Sequence, residues 1–501
     1  MTTSTTTTRP PIIAVMGHID HGKSTLLDTI RRTKVVESEA GGITQHVSAY
    51  EVASPGADGT ERRMTFLDTP GHEAFSGVRA RGAEVADIAI LIVAADDGVQ
   101  PQTKEALDAI RAASIPFIVA INKVDKNNAD IERTKQSLLE YEIYIEQFGG
   151  DVPVVEISAL EGTGIDDLLD MISLVSEMQE LIADPTAPAT GIVLESIRDP
   201  QRGIAATLIV TNGTLERGVF VVAGSTYAPV RIMENFLGEG IDSASLSQPV
   251  NIVGWSDMPK AGAPWETVIN KKAAERSIEE NASGATASGA ASNASDTASE
   301  QEVIPIILKA DTTGGIEGLT HELKKLENER ISLQIVHSGI GPINENDVML
   351  ASTNNKAIIV GFNIEVSGSA KTTAQRDEIE MGAFDIIYDA IDWLTEAVKR
   401  RTPMIEEKET TGKAKILRRF SQSKHKQVLG GRVEEGVLKV GEKISVYRRE
   451  AEIAKGTIKN LQQQKEDVSK VEEGMEFGTE IEARIEIQPG DFIEAFDIVK
   501  K

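Results

Sequence analysis

An eight-residue segment near the start of the chain constrains its fold more than any other part of the sequence. Gly17-His18-Ile19-Asp20-His21-Gly22-Lys23-Ser24 lies directly after the apolar run Ile12–Met16 and before an amphipathic stretch. This spacing predicts a loop whose backbone N–H groups wrap a phosphate, with Lys23 against the phosphate oxygens and the Ser24 hydroxyl on a magnesium ion. An ordinary glycine-rich turn is the alternative, but the strand–loop–helix context favours the phosphate loop.

Further apolar runs alternate with amphipathic stretches up to about residue 183. The other runs that we interpret as buried parallel strands are Met64–Leu67, Ile88–Val93, Phe117–Ile121 and Val154–Ile157. The alternation predicts an α/β domain over residues 11–183, with helices on both faces of a parallel-rich sheet. We expect functional groups at the carboxyl ends of the strands. Residues 1–10 are predicted to be a disordered tail.

Polar motifs follow three of these strands. Asp68-Thr69-Pro70-Gly71-His72 places a carboxylate where it can hold the metal and a glycine where the chain can turn toward a γ-phosphate. In Asn122-Lys123-Val124-Asp125 the last carboxylate can accept two hydrogen bonds from guanine, which adenine does not offer. In Ser158-Ala159-Leu160 a backbone amide can reach guanine O6. Each motif alone is compatible with a turn, but their order predicts a domain that binds GTP or GDP with Mg²⁺.

Two further residues are candidates for switching and catalysis. Thr44, in Gly41-Gly42-Ile43-Thr44-Gln45-His46, can add its hydroxyl to magnesium when a γ-phosphate is present, although a flexible-loop threonine is the alternative. His72 stands where GTPases orient the attacking water, so we interpret it as catalytic rather than as a surface histidine. We interpret His18 and His21 as structural groups of the phosphate loop rather than as metal ligands.

The pattern of apolar and polar residues changes several times beyond residue 183. Short apolar runs with turns predict a β-barrel, a Ser/Ala-rich stretch predicts a disordered linker or insertion, and renewed alternation predicts a small α/β domain. An amphipathic pattern then predicts a long connecting helix before a second barrel. The predicted segments are 188–270 for the first barrel, 271–302 for the linker, 303–383 for the small α/β domain, 384–410 for the connecting helix and 411–501 for the C-terminal barrel. The predicted fold class is therefore multidomain, α/β and β.

Charge is distributed unevenly along the chain. The whole sequence has 52 Lys and Arg against 78 Asp and Glu, whereas residues 411–465 hold 14 Lys and Arg against 5 Glu and no Asp. A basic segment in so acidic a protein favours contact with the phosphates of a folded RNA over a merely solvated face.

The sequence has no Cys, which excludes disulfides and thiolate metal sites. It also has no apolar run of the ~20 residues that a membrane span needs, so we expect a cytoplasmic protein without a membrane partner.

The segments that carry these motifs resemble the GTPase domain of bacterial translation initiation factor two. Other segments resemble that factor's later domains, so the resemblance runs from about residue 10 to the end of the chain. The strings that carry it are 17–24, 40–46 and 66–72 in the first domain, then 211–215, 221–224, 336–341, 358–363, 474–476 and 488–491.

The resemblance implies a ribosome-dependent GTPase that brings formylmethionyl initiator tRNA to the small ribosomal subunit and promotes joining of the large subunit. It also implies a monomer that works with other initiation factors. By the same resemblance, Ser24, Thr44 and Asp68 are the magnesium ligands, and Asp68 to His72 form the second switch. Val15 and Ile43 are implied as apolar neighbours of His72, and Asp20 as a ligand of a monovalent cation near the phosphates. The family's usual N-terminal extension is missing, so contacts through it are not expected.

The C-terminal barrel departs from the family pattern where the tRNA would bind. Gly431 and Phe477 stand where many members have cysteines, and Leu461-Gln462-Gln463-Gln464 stands where many have a pair of arginines after the leucine. The residues predicted to bind tRNA are Lys424, Lys426, Gly431, Arg432 and Phe477. The alternative function is a GTP-binding ribosome- or tRNA-associated factor without initiator selectivity. An elongation-factor role is weaker, because the third-domain strings speak against it.

Overall fold

The apolar runs at the start of the chain become the strands of one six-stranded sheet. The computed structural model of the protein describes residues 6–31, 44–55, 61–199, 201–285, 302–328, 330–401, 406–423, 426–449 and 451–500. The strands of the first region are β1 (Thr7–Thr8), β2 (Ile12–Gly17), β3 (Ser48–Pro55), β4 (Glu61–Asp68), β5 (Ile88–Ala94), β6 (Phe117–Asn122), β7 (Val154–Glu156) and β8 (Ile182–Ala183). The sheet order is β3-β4-β2-β5-β6-β7, and every pairing is parallel except that of β3 with β4.

Helices cover both faces of this sheet, as predicted. They are α1 (Lys23–Arg31), α2 (Ser76–Val85), α3 (Pro101–Ala113), α4 (Ile131–Glu140) and α5 (Ile165–Met178). Successive side chains of β2 point to opposite faces, so that Ile12 and Ala14 join one apolar cluster while Ile13 and Val15 join the other. The predicted α/β class is confirmed. Strand β3 was not predicted from the sequence, because it is half-exposed and has no continuous apolar run.

The first residues do not form the loose tail that was predicted for residues 1–10. Strand β1 pairs antiparallel with β8. Arg9 donates to Asp87 at 2.7 Å, and the same carboxylate accepts a hydrogen bond from the Ile12 N–H at 2.8 Å. These partners lie far along the chain, so composition gives no sign of them. Residues 1–5 lie outside the described residues.

A curled antiparallel sheet follows. Its region contains β9 (Thr190–Asp199), β10 (Gly203–Asn212), β11 (Leu215–Glu216), β12 (Phe220–Ala223), β13 (Thr226–Pro229), β14 (Ile232–Glu234), β15 (Ser243–Ala244), β16 (Pro249–Val253) and β17 (Pro264–Val268). The seven-stranded sheet has the order β13-β12-β17-β9-β10-β16-β14. Ala228 near one end of this order and Met233 at the other belong to the same apolar cluster. The sheet must therefore curl around a single core.

The next segment is helical where a disordered linker was predicted over residues 271–302. Helix α6 (Lys271–Ala285) packs against β12, β13 and β17, and its Ala274 is fully buried. The Asn270 side chain accepts from the Ala273 N–H at 2.9 Å and so caps the start of the helix. The linker prediction is wrong for this half of the segment, because alanine favours helices as well as loops. Residues 286–301 lie outside the described part of the chain.

A small α/β layer completes the first compact unit, Met1–Arg401. Its elements are β18 (Glu302–Ala310), α7 (Thr313–Leu326), β19 (Ile331–Ile340), α8 (Glu345–Thr353), β20 (Ile358–Phe362), α9 (Gly368–Asp377), β21 (Met381–Phe384) and α10 (Ile387–Arg401). The sheet order is β19-β18-β20-β21, all parallel. Helix α10 buries Ile387, Ala390 and Leu394 in this layer's core. The connecting helix predicted over 384–410 is thus shorter, and its apolar face is part of this core.

The second compact unit, Thr402–Lys501, is a closed β-barrel, as predicted for the C-terminal region. Its strands are β22 (Glu406–Ser423), β23 (Lys426–Lys439), β24 (Lys443–Arg448), β25 (Ala451–Gln463), β26 (Glu466–Asp467), β27 (Lys470–Glu472), β28 (Glu476–Ala483) and β29 (Phe492–Lys500). The order β22-β29-β24-β25-β28-β23 returns to its start because β22 also pairs with β23. Within the described ranges, no helix is both long and apolar enough to cross a lipid bilayer.

Candidate functional site

The phosphate loop connects β2 to α1, and its two glycines are required by its shape. Gly17 has φ +147° and Gly22 has φ +91°. A Cβ at Gly17 would lie 2.5 Å from the Ile92 carbonyl oxygen, and one at Gly22 would lie 2.3 Å from the Asn122 side-chain nitrogen. Any larger residue would push the loop away from β5 and β6. The predicted loop therefore lies at the carboxyl ends of three adjacent strands.

Lys23 is buried at the centre of this loop. Its Nζ donates to the carbonyl oxygens of Gly17 at 2.9 Å and His18 at 2.7 Å. Burial lowers the pKa of Lys23 to about 8, while the Asp68 carboxylate opposes that shift. A nearby anion would favour the charged ammonium and raise this pKa again. The geometry therefore suits a lysine that neutralises a bound phosphate.

Three oxygen-bearing side chains meet beside Lys23. Ser24 Oγ lies 2.8 Å from Thr44 Oγ1, and Thr44 Oγ1 lies 3.3 Å from Asp68 Oδ2. Hydroxyl and carboxylate oxygens are the ligands that Mg²⁺ prefers, so this donor set fits the ion. These are the three residues predicted as metal ligands, and the structure brings them together from α1, the segment before β3 and the end of β4.

His72 lies almost wholly inside the protein, with 4% of its surface exposed. Its Nδ1 accepts a hydrogen bond from the Ala74 N–H at 2.8 Å, and its carbonyl oxygen accepts from the buried guanidinium of Arg79. Burial lowers the pKa of His72, so the ring is neutral at pH 7. Because Nδ1 is an acceptor, the proton of the neutral ring is on Nε2.

Tyr388, at the start of α10, contacts the His72 ring. The two ring centroids are 4.3 Å apart and the rings are inclined at 61°. Phe75 contacts the same histidine, with centroids 6.1 Å apart. Sequence analysis missed Tyr388, because no local pattern connects it to a motif more than three hundred residues earlier.

Val15, implied as a neighbour of His72, is buried in β2, where its carbonyl oxygen accepts a hydrogen bond from the Thr69 hydroxyl. Ile43 lies outside the described residues.

The two predicted guanine motifs lie side by side at the ends of β6 and β7. Asn122 Nδ2 donates to the His21 carbonyl oxygen at 2.8 Å, and Asn122 Oδ1 accepts from the Ala159 N–H at 2.9 Å. Ser158 Oγ donates to Asp125 Oδ1 at 2.6 Å. The asparagine therefore ties the phosphate loop to the second motif, while the serine orients the Asp125 carboxylate. Leu160 is largely exposed.

A cavity of about 260 Å³ lies between the phosphate loop and the other motifs. Among its lining residues are Asp20, Lys23, Ser24, Thr44, His72 and Lys123. It joins groups from the phosphate loop, both predicted switches and the first guanine motif. One bound molecule in this cavity could therefore contact the residues that were predicted to bind the phosphates, the metal ion and the base.

The segment that carries Thr44 also contacts the small α/β layer. Gln45 Nε2 donates to the Asp385 carbonyl oxygen at 2.9 Å, and Gln45 Oε1 accepts from the Ile387 N–H at 3.2 Å. His46 Nε2 lies 3.4 Å from Asp311 Oδ2. The metal-ligand segment is thus hydrogen-bonded to the start of the helix that carries Tyr388. Sequence reasoning had no signal for these long-range contacts.

A second candidate site is a groove of about 750 Å³ on the C-terminal barrel. Its walls combine apolar and polar side chains, including Leu417, Phe420, Phe477, Gln462, Lys465 and Glu476. Gly431 lies opposite Phe477 across the β23–β28 pairing, and a Cβ at Gly431 would lie 2.9 Å from the Phe477 ring. Glycine at this position therefore leaves room for the buried phenylalanine.

The residues predicted to bind tRNA are placed unequally around this groove. Gly431 and Phe477 line it, whereas Lys426 and Arg432 do not. Lys426 forms an ion pair with Glu480 at 2.8 Å, and Arg432 donates to the Gly474 carbonyl oxygen at 3.0 Å. Lys424 lies outside the described residues. The groove therefore contains Gly431 and Phe477 of the predicted set, whereas Lys426 and Arg432 lie outside its walls.

Comparison with known families and proteins assigns three parts of the chain. Residues 8–177 match the family model described as the elongation factor Tu GTP binding domain, residues 188–267 match elongation factor G domain 2, and residues 279–395 match translation-initiation factor 2. The chain is 43% identical over 497 residues to translation initiation factor IF-2 of Bacillus subtilis, which covers 97% of this chain and 69% of that protein. It is 42% identical over 501 residues to the same factor of Staphylococcus epidermidis, covering 98% and 69%.

A solved structure is similar along most of the chain. GDP-bound aIF5B from Aeropyrum pernix is 25% identical, covering 98% of this chain and 92% of that one, with a TM-score of 0.49.

Proposed function

The chain belongs to the family of translation initiation factor IF-2, and we propose that it delivers formylmethionyl initiator tRNA to the small ribosomal subunit and promotes joining of the large subunit. The family and its GTP-binding domain make it an initiation factor that binds and hydrolyses GTP. We further propose that contact with the ribosome switches hydrolysis on. Other initiation factors are proposed partners, and the protein is proposed to act as a monomer.

One observation carries the nucleotide part of this proposal: the four motifs meet at one edge of the six-stranded sheet. Gly17 to Ser24 supply backbone donors and the lysine for the phosphates, and Asp68 to His72 approach from the neighbouring strand. Asn122 to Asp125 and Ser158 to Leu160 supply the guanine side. Asp125 accepts from the purine N1–H and the exocyclic amine, which selects guanine over adenine.

Ser24, Thr44 and Asp68 are proposed to hold Mg²⁺, directly or through water, and the ion supplies charge neutralisation at the β- and γ-phosphates. The 2.8 and 3.3 Å separations among their oxygens support this assignment. Thr44 is proposed to add its hydroxyl to the ion only when a γ-phosphate is bound. Asp20, which lines the same cavity, is proposed to hold a monovalent cation.

His72 is proposed to position the attacking water. Since its Nδ1 accepts from the Ala74 N–H, the available nitrogen is the protonated Nε2. A donor at this position orients the water oxygen but does not remove its proton. Tyr388 packs against the ring, and we propose that contact with the ribosome shifts this pair so that His72 Nε2 meets the attacking water.

The groove on the C-terminal barrel is proposed to take the aminoacyl end of the tRNA. Phe420 exposes 66% of its surface at this groove, although aromatic side chains are usually covered in a folded protein. Lys465 adds a cation for phosphate, and Phe477 adds an apolar wall. Lys426 and Arg432, which lie outside the groove, remain proposed phosphate contacts. Lys424 also remains a proposed phosphate contact.

Equilibrium binding of formylated initiator tRNA, its unformylated form and an elongator tRNA to the full chain tests this assignment. Initiation predicts that the formylated form binds at least about tenfold more tightly, and that Phe420→Ala weakens it. Phe148→Ala is the matched control, because that exposed aromatic lies in the first unit. Equal binding of all three tRNAs that fades with salt would instead favour the second candidate function, a GTP-binding tRNA-associated factor without initiator selectivity.

A further inference from the structure

A cluster of three metal-ligating side chains lies beside the phosphate loop but apart from the proposed magnesium ligands. Among the residues that the structure describes, His18, His21 and Asp97 are grouped so that one ligand atom of each lies within 4.8 Å of the other two. His21 Nε2 is 3.4 Å from Asp97 Oδ2. The rings of His18 and His21 are 4.9 Å apart, centroid to centroid, at an angle of 64°.

We propose that His18, His21 and Asp97 form a binding site for a divalent transition-metal ion of the Zn²⁺ or Co²⁺ type. Two imidazoles and one carboxylate suit such ions, whereas Mg²⁺ prefers oxygen ligands alone. Three protein ligands also leave a coordination position for water. This assignment reverses our interpretation of the two histidines as purely structural. The third ligand was hidden because Asp97 follows a different strand, 76 residues after His21.

The surroundings of His21 and Asp97 orient their ligand atoms toward each other. His21 Nδ1 lies 3.4 Å from the Ile92 carbonyl oxygen, so its Nε2 is left facing Asp97. Asp97 Oδ1 accepts from the Gln100 side chain at 2.8 Å, which leaves Oδ2 facing His21. Such outer hydrogen bonds are what fix a metal-ligating histidine and carboxylate in other proteins. The His21 backbone is itself held, since its carbonyl oxygen accepts from Asn122.

The electrostatic setting and the access route agree with this site. Burial lowers the pKa of His18, and it lowers that of His21 to about 4, so both rings are neutral and keep a lone pair for a metal. Nδ1 of His18 is buried and makes no hydrogen bond. Half of the Asp97 side-chain surface is exposed, which gives an ion a path from solvent.

The ligand atoms need a small adjustment to close on an ion. Bonds of about 2.0 to 2.2 Å in a tetrahedral site put ligand atoms roughly 3.3 to 3.6 Å apart. The separation of His21 and Asp97 already meets this, so rotation of the partly exposed His18 would supply the remaining approach. A bound ion would then fasten the phosphate loop to the segment between β5 and α3.

Titration of the nucleotide-free full chain with Co²⁺, in excess Mg²⁺, tests the site directly. We expect one equivalent of Co²⁺ to bind, to develop visible d–d absorption, and to be displaced by Zn²⁺. The chain has no Cys and only 7 His, so competing sites are few. The variants Asp97→Asn and His18→Ala should each weaken Co²⁺ binding by about tenfold or more.

His337→Ala is the control, because His337 is exposed and remote in sequence from the cluster. Asp97→Asn keeps the size of the side chain, and circular dichroism of each variant checks that it is folded. The absence of saturable binding, or affinities in Asp97→Asn and His18→Ala equal to that of His337→Ala, would overturn the proposal. GTP binding is measured on the same preparations, so failure of the metal site is distinguishable from failure of the nucleotide site.

Discussion

The ring of Tyr388, on the first turn of α10, packs against the ring of His72 at a centroid distance of 4.3 Å. The contact joins the small α/β layer to the residue proposed to position the attacking water. Gln45 holds the backbone beside Tyr388 through two hydrogen bonds, and Thr44 precedes Gln45 in the chain. The segment that carries Thr44 is therefore linked, through the hydrogen bonds of Gln45, to the start of the helix whose Tyr388 contacts His72.

Removing the tyrosine ring should change the environment of His72. In Tyr388→Ala we expect the pKa of His72 to rise toward its ordinary value of 6.5, because the burial that lowers it is reduced. NMR titration of isotope-labelled histidine, assigned with His72→Gln, measures the change. Tyr388→Phe keeps the ring and should leave the pKa nearly unchanged. Identical titration curves for Tyr388→Ala and the parent would show that the ring does not shield His72.

Replacing His72 should separate binding from hydrolysis. In His72→Ala we expect GTP affinity to stay nearly intact, while ribosome-stimulated hydrolysis slows by about a hundredfold or more. Single-turnover hydrolysis with ribosomes and fluorescent-nucleotide binding measure the two properties. His72→Gln, which keeps a side-chain hydrogen-bond donor, should retain more activity than alanine. A normal rate in His72→Ala would remove His72 from the catalytic step.

Thr44 should distinguish GTP from GDP. Because its hydroxyl is proposed to reach magnesium only in the presence of the γ-phosphate, Thr44→Ala should weaken GTP binding by about tenfold and leave GDP binding nearly unchanged. Titrations with both nucleotides at several Mg²⁺ concentrations provide the measurement. Ser24→Ala is the comparison, and it should weaken both nucleotides. Equal losses for GTP and GDP in Thr44→Ala would contradict the switch assignment.

Asp125 should determine which base is accepted. In Asp125→Asn, the amide can donate to the carbonyl that xanthine has where guanine has an amine. We therefore expect preference to move from guanosine to xanthosine nucleotides. Competition of GTP and XTP for a fluorescent nucleotide measures this preference. If Asp125→Asn still preferred guanine as strongly as the parent, Asp125 would not be at the base.

Glu195 should make stability depend on pH. Burial raises its pKa to about 8, and the nearby Asp311 carboxylate adds to the shift. Between pH 4.5 and 8 the unfolded chain has lost this proton and the folded chain keeps it, so stability falls as pH rises, by up to about 1.4 kcal/mol per unit. Glu195→Gln should therefore raise the melting temperature more at pH 8 than at pH 5. Equal effects at both values in scanning calorimetry would show that Glu195 is ionised in the folded protein.

The parts of the fold that sequence predicted are those specified by local patterns. Strands β2, β4, β5 and β6, and the motifs at their ends, were found because each strand contains a mostly apolar run that is buried on both faces. Helix α10 was predicted to be a connecting helix, whereas it packs in the core of the small α/β layer. Its amphipathic pattern showed that one face is covered, but the identity of the covering element depends on tertiary packing.

The candidate site divides in the same way. Spacing along the chain identified Lys23, Ser24 and Asp68, because the phosphate loop and its neighbours are local signatures. It did not identify Asp97 beside His21, or Gln45 beside Asp385, because these pairs form only when distant elements pack together. Residues 7–9 were misjudged for the same reason, since their partners lie far along the chain.

The closed ring of the C-terminal barrel limits how that unit can recognise a partner. Each of its six main strands is hydrogen-bonded to two neighbours, although β22 beyond Lys415 pairs only with β23. Where both neighbours are present, the backbone groups are committed to the ring itself. A partner cannot extend the sheet at these doubly paired stretches, although sheet extension is a common way for proteins to bind peptides and also a common start of aggregation. Recognition at these stretches depends instead on the side chains that protrude from them, so partner preference can evolve by point substitution without disturbing the scaffold.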